Sequence, residues 1–286
     1  MLTMDKNKLP FVDLHVHTCY SDGTQSPRSV VEEAYAMGVG VLSIADHESF
    51  EGSIEAEIWC KQKGIRLICA AELECLFCGI DYHVLCYGAD LDNGELRKMA
   101  DKNRVALDRM SDVLIERLSL ERLEISIEDY VGFEDDAAAG GWKGIRYLHK
   151  RGVTQTLREG IKLYEQYGVH YSEAGFPALC DLLAVIHRAN GVAVVAHIGY
   201  TLKHLDAFAF REQIDKLIAM GVDGFECYYP LHDEPMCTFL LETCNREGLL
   251  ITAGSDAHGS FGRTHVGEMN ITLDQLKLGR LIPENE

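Results

Sequence analysis

Residues 13–23 read DLHVHTCYSDG, two histidines one residue apart inside an apolar run with an aspartate and a glycine shortly after it. Side chains alternate along a strand. In FVDLHVHT, Val12, Leu14 and Val16 therefore share one face, and Asp13, His15 and His17 share the other. One face packs and the other is free for chemistry. The same placement recurs downstream, where His47 ends VLSIADH, Glu72 ends LICAAE, His197 ends VAVVAH, and Asp256 with His258 end LLITAGSDAH. All are near the C-terminal ends of apolar runs.

Between these runs the period changes to that of helices. SPRSVVEEAYAMG opens on Ser26 and Pro27 and stops at Gly38, and SIEAEIWCKQKG, FREQIDKLIAMG and MCTFLLETCNREG follow the same pattern. Strand then helix, repeated, predicts an α/β fold with a parallel sheet of about seven strands. In (β/α) barrels the C-terminal strand ends converge on one mouth, so residues distant in sequence meet there. The alternation covers residues 11–93 and 176–275, which we assign to one discontinuous barrel. Residues 94–175 are charged and mostly helical in period, broken by AAAGGWKG, and read as a helical insertion domain. His83 stands at the start of its run, DYHVLCYGAD. A turn over residues 75–81 followed by a returning strand would still set it beside Glu72. His149, His170, His187, His204, His232 and His265 sit mostly in helices or loops and read as structural.

Composition bounds the function. With 286 residues and 47% hydrophobic content the chain can bury a large core. Its 27 basic and 45 acidic residues give a formal charge of -18, which disfavours long nucleic acids and anionic membranes as partners. The N-terminal MLTMDKNKLP lacks an apolar signal core and no segment is long enough to span a bilayer, so a cytoplasmic location is expected. The 10 cysteines are scattered through apparent strands and helices, as buried hydrophobes in a reducing compartment would be. Cys75 and Cys78 form a CxxC with no second pair to complete a zinc site.

Imidazoles interleaved with carboxylates suit borderline divalent ions such as zinc, manganese or iron. The six mouth histidines with Asp22, Glu72 and Asp256 exceed what one ion needs and suffice for two or three. In order along the chain, DLHVHTCYSDG, ADH, AELE, YHVLCYG, VAHIG and GSDAHG resemble the PHP (polymerase and histidinol phosphatase) family over residues 11–270. The resemblance implies a distorted (β/α)7 barrel and a trinuclear centre. On it, His15, His17, Glu72 and Asp256 hold a first ion. Glu72 bridges to a second, held also by His83 and His197, and Asp22, His47 and His258 hold a third. The location of the insertion resembles the small stand-alone phosphoesterases of the family. The branch acting on nucleotide 3',5'-bisphosphates and short RNA typically carries Arg-Pro-His where this chain has GGWKGIRYLHKRG. That contrast counts against a nucleotide-bisphosphate substrate, which stays as the alternative reading, and leaves room for another branch, which opens cyclic phosphodiesters such as phosphoribosyl 1,2-cyclic phosphate and then removes the phosphate.

The expected reaction is hydrolysis of a small phosphorylated metabolite or nucleotide by a metal-bound hydroxide, held by Glu72, Asp256 and His258. Three divalent ions against three ligating carboxylates leave the mouth at about +3, which reconciles an acidic protein with an anionic substrate. No Ser-His-Asp set is apparent, and GGWKG lacks the ending of a phosphate-binding loop. Lys143 and Arg146, after the Gly-rich break, are the expected contacts to a second phosphate. Asp13 is expected to orient a ligand, and Glu226 in GFECYY is kept out of the catalytic set. Two readings of other classes compete, a metal-dependent amidohydrolase and a non-catalytic metal-binding module.

Overall fold

The computed structural model describes residues 10–282. Eight strands form its sheets: β1 (Phe11–Val16), β2 (Val39–Ile44), β3 (Arg66–Leu67), β4 (Ala70–Phe77), β5 (Ile80–Tyr87), β6 (Val192–Val195), β7 (Gly224–Tyr228) and β8 (Leu250–Ala253). The helices are α1 (Pro27–Ala36), α2 (Glu51–Lys63), α3 (Gly94–Ser119), α4 (Ile127–Val131), α5 (Lys143–Lys150), α6 (Leu157–Gln166), α7 (Leu179–Arg188), α8 (Ile198–Thr201), α9 (Ala207–Met220) and α10 (Glu234–Glu247).

Strands β1, β2 and β3 run parallel in one sheet, and β4 to β8 form the other in sequence order. Two single parallel bridges link the sheets, Val16 to Ala257 and His47 to Glu72. Both lie among the proposed site residues, so the site itself stands where the two sheets meet. The count is eight where the sequence suggests about seven. IRLICAAELE is not one strand: it breaks at Ile68 and Cys69, with Arg66 and Leu67 pairing β2 and Ala70 onward pairing β5.

The returning strand is present. Cys78 and Gly79 both adopt positive φ (52° and 76°), the geometry of a two-residue hairpin turn whose twist matches its strands. The turn makes β4 and β5 antiparallel, with Glu74 opposite His83. From β6 onward the strands are parallel again. Cys75 is buried with its thiol donating to Tyr82 O, and Cys78 is exposed at the turn. The CxxC therefore follows from the hairpin, and all 10 cysteines are free among the described residues.

Packing follows the apolar faces. Leu182, Ile186, Ile214, Leu217 and Leu240 of the later helices cover Val84, Val195 and Phe225 of the second sheet. Val30, Val31 and Ala56 of α1 and α2 cover Leu42 and Ile44 of the first. Ser26 caps α1 by accepting from Ser29 N, with Pro27 in the first turn, an arrangement that contributes about 1 kcal/mol. Residues 94–175 contain α3 to α6. Leu107, Met110, Leu114, Leu118, Tyr130, Tyr147 and Leu148 form a separate apolar cluster there. Among the described residues no helix is long and apolar enough to cross a membrane.

Candidate metal centre

Strands and the loops that follow them deliver the nine residues of the expected ligand set to one place, with Glu72 near the start of its strand and not at its end as the sequence suggests. His15 lies on β1 and His17 just beyond it. Asp22 lies in the following loop, His47 after β2, Glu72 on β4, His83 on β5, His197 after β6, and Asp256 and His258 after β8. Four overlapping groups each have ligand atoms within 4.8 Å of one another: His17, Asp22, His47 and His258; His15, His17 and Asp256; His15, Glu72 and His197; and His47, Glu72 and His83.

Glu72 sits at the centre, and its two oxygens face different partners. Oε2 lies 3.2 Å from His15 Nε2 and 3.3 Å from His17 Nε2. Oε1 lies 3.0 Å from His83 Nδ1 and 2.9 Å from His197 Nε2. Asp256 Oδ1 joins the first group, 3.2 Å from His17 Nε2. Asp22 Oδ1 is 3.2 Å from His258 Nε2 and 3.9 Å from His47 Nε2. Buried Glu72 Oε2 and Asp22 Oδ1 have no hydrogen-bond partner although imidazole nitrogens surround them. Buried oxygen acceptors without donors, beside nitrogen lone pairs, are the donor set a borderline divalent cation takes. The residues fit the ions.

Electrostatics agree. Burial pushes the Glu72 carboxyl up, but the His15, His83 and His47 imidazoles outweigh it and hold it well below the usual range. Asp256 behaves likewise, with burial opposed by His15, His258 and His17. Both stay ionised, as cation binding requires. Burial lowers His15, but Glu72, Glu226 and Asp256 raise it further, well above the ordinary imidazole value.

A second tier orients these side chains. Glu226, fully buried on β7, lies 3.0 Å through Oε1 from His15 Nδ1 and accepts from His197 N through Oε2 at 2.8 Å. One carboxylate thus turns His15 Nε2 inward and fixes the backbone of His197, which sits at a positive φ of 28°. Gly254 makes room for it, since a Cβ there would lie 2.5 Å from Glu226 Oε1 and 2.2 Å from His15 Cβ. Glu74 Oε1 is 3.0 Å from His47 Nδ1, and Tyr229 donates to Asp256 Oδ2 at 3.1 Å. Asp46 accepts from Thr18 N, Thr18 Oγ1 and Ser21 Oγ, each at 2.7 Å, and clamps the loop that carries Asp22. Asp13 reaches no imidazole nitrogen. It accepts from Ser255 N, Ser255 Oγ and Gly267 N and so pins the loop after β8. Glu226→Gln is expected to weaken ion binding by about 10- to 100-fold with the fold retained. Competition against a chromophoric chelator measures it, and unchanged affinity would remove Glu226 from this role.

The substrate contacts expected from sequence are placed elsewhere. Arg146 is buried, its Nε and Nη2 2.5 and 2.6 Å from the two Asp135 oxygens, and its Nη1 donates to Gly140 O and Gly141 O. Lys143 Nζ lies 4.7 Å over the Tyr130 ring. Neither lines the mouth: the charge of Arg146 is already neutralised, and Lys143 faces an aromatic ring of the insertion. The cavity lined by seven of the nine residues, all but His15 and His17, has a volume of about 480 Å³ and instead holds Arg158 of α6 and Arg263 of the loop after β8, beside Ile161, Tyr200, Leu231 and Phe261.

The model of the PHP domain matches residues 13–226, which include seven of the nine residues, all but Asp256 and His258. The chain belongs to the PHP domain family. The PHP chain is 26% identical to a 5'-3' exoribonuclease of Haemophilus influenzae over 90% of its own length and 93% of the relative's. It is 26% identical to a phosphoribosyl 1,2-cyclic phosphate 1,2-diphosphodiesterase of Eggerthella lenta over 89% and 97%. A solved structure from Bifidobacterium adolescentis, assigned as a metal-dependent phosphoesterase, superposes with a TM-score of 0.76 at 29% identity over 94% of this chain and 95% of that one. This PHP protein is a metal-dependent phosphoric ester hydrolase of mixed α/β fold.

Proposed function

We propose that the protein hydrolyses a small phosphorylated metabolite or nucleotide that carries a second anionic group, using up to three divalent transition-metal ions held by the nine mouth residues. The observation that carries this reading is Glu72, whose Oε1 faces His83 and His197 while Oε2 faces His15, His17 and, at 3.4 Å, His47, as a carboxylate shared between ions would. His15, His17 and Asp256 complete one position, His83 and His197 another, and Asp22, His47 and His258 a third. Bound there, divalent ions supply Lewis acidity towards phosphoryl oxygens and acidify a water. The chain's own residues do the rest. Glu226, Glu74 and Tyr229 fix ligand orientation, while the apolar rim of Ile161, Leu231 and Phe261 limits water at the mouth.

Arg158, whose Nη1 donates to Phe261 O at 2.8 Å, and Arg263 are the arginines of the cavity, and Arg263 with the remaining donors of Arg158 grips a group remote from the scissile phosphate. A phosphoribosyl cyclic phosphate and a nucleoside bisphosphate both present such a group. Phosphate release from monoester, diester and cyclic diester substrates by the metal-replete protein decides among them. Release from none would leave the amidohydrolase and non-catalytic readings. Arg158→Ala and Arg263→Ala are each expected to lower kcat/KM about 10- to 100-fold on a substrate with two phosphates and to leave a simple aryl phosphate nearly unaffected. Equal losses on both substrates would contradict a remote role.

A further inference from the structure

We infer that the turn formed by Gly140, Gly141 and Trp142 is the outer wall of the third ion position, and that Arg146 is the positioning residue that seats it. The inference rests on the three-ion reading above. Each of the three residues proposed for that position meets this turn or its neighbour. Gly141 N donates to Asp22 O at 2.8 Å. The Trp142 ring lies 5.6 Å from that of His47. The His258 ring lies 6.3 Å from Phe261, and Phe261 in turn packs on both glycines. A Cβ on Gly140 would come within 2.7 Å of Phe261 Cβ, and one on Gly141 within 3.1 Å of its ring, and both residues hold positive φ, 83° and 69°. Glycine is required at each for this close approach.

The turn is fastened from behind. Arg146 Nη1 donates to the carbonyl oxygens of both glycines, and its remaining donors form the bidentate pair with Asp135. From the other direction Arg104 stacks on Trp142 at 5.4 Å and donates to Tyr20 O at 3.1 Å, in the same loop as Asp22. By contrast, His15, His197 and Asp256 of the inner positions take orienting partners from β7 and the residue just after it, Glu226 and Tyr229. Seating of this turn is therefore coupled to the third ion, whereas the insertion meets the second position through a different residue, Tyr171, whose ring lies 6.4 Å from that of His83.

The test is manganese titration with elemental analysis of wild type, Arg146→Ala and Trp142→Ala. In both variants one of the three ions is expected to lose about 10- to 100-fold in affinity, with the other two unchanged. Trp142→Ala leaves the Arg146–Asp135 pair intact, so it serves if Arg146→Ala does not fold. A second readout uses Trp59→Phe, which leaves Trp142 as the single tryptophan of the chain. Its fluorescence should respond to one equivalent of Mn²⁺ and not to the other two. Wild type that binds three ions, with three unchanged affinities in Trp142→Ala and in any folded Arg146→Ala, overturns this inference alone. Equal weakening of all three, or a fluorescence response spread evenly over all three equivalents, overturns it too. Wild type that never binds a third ion overturns the three-ion reading beneath it.

Discussion

Glu72→Gln is expected to lower kcat/KM by at least about 10³, roughly 4 kcal/mol of transition-state stabilisation, while far-UV circular dichroism stays native. The substitution keeps the shape of a buried side chain on β4 but replaces one of its two charged oxygens with an NH₂ that can only donate. Whichever way the amide is turned, it points a donor either at His83 and His197, now served by Oε1, or at His15, His17 and His47, now served by Oε2. Two ion positions weaken together. Elemental analysis beside kinetics checks this: a Glu72→Gln variant that stays fully loaded and nearly as active as wild type would show that Glu72 does not bridge.

Exhaustive chelation is expected to abolish turnover and to lower Tm by about 10 °C. An ion at 1,000 times its Kd stabilises the native state by about 4 kcal/mol. For a domain of this size each kcal/mol shifts Tm by about 2–4 °C. The difference should depend on pH. Without ions, burial lowers His47, but Glu72, Glu74 and Asp22 raise it to about 9, and burial lowers His258, but Asp22 and Asp256 raise it to about 10. Both folded values exceed the ordinary 6.5, so this contribution to the metal-free protein is complete below pH 6.5 and fades as pH rises towards 9–10. Ion binding runs the other way, because it needs neutral imidazoles. The Tm gap between loaded and stripped protein should therefore widen from pH 6 to pH 9. A gap that narrows over that range would show that these imidazoles do not compensate for the missing ions.

The chemistry-bearing residues of the barrel strands are legible in the sequence because a period of two is hard to counterfeit. His15, His47, Glu72 and His197 close apolar runs, and the structure gathers them where strand ends must converge. His83 is legible through the hairpin that returns its strand. The break at Ile68 and Cys69 is not, since nothing in an apolar run marks where it changes partner. Glu226 carries the same strand-end signal as the others. A solitary carboxylate lacks the neighbouring histidine that makes them conspicuous. Arg146 misleads for a plainer reason: its partner, Asp135, lies 11 residues away in an irregular stretch, beyond any local periodicity. Arg158 and Arg263 reach the mouth only through tertiary placement, one from a helix of the insertion and one from the loop after β8.

Asp13 has a consequence for how the molecule is made. Its carboxylate joins β1 to Ser255 and Gly267, residues 242 and 254 positions away. During synthesis His15 and His17 precede every other ligand, whereas Asp256 and His258 follow β8, after all the strands of the described residues have been made. Loading is in this sense a post-translational event, and a chain truncated before Ser255 lacks both the staple and the last two ligands. Completion of the centre thus reports that translation has passed the final strand.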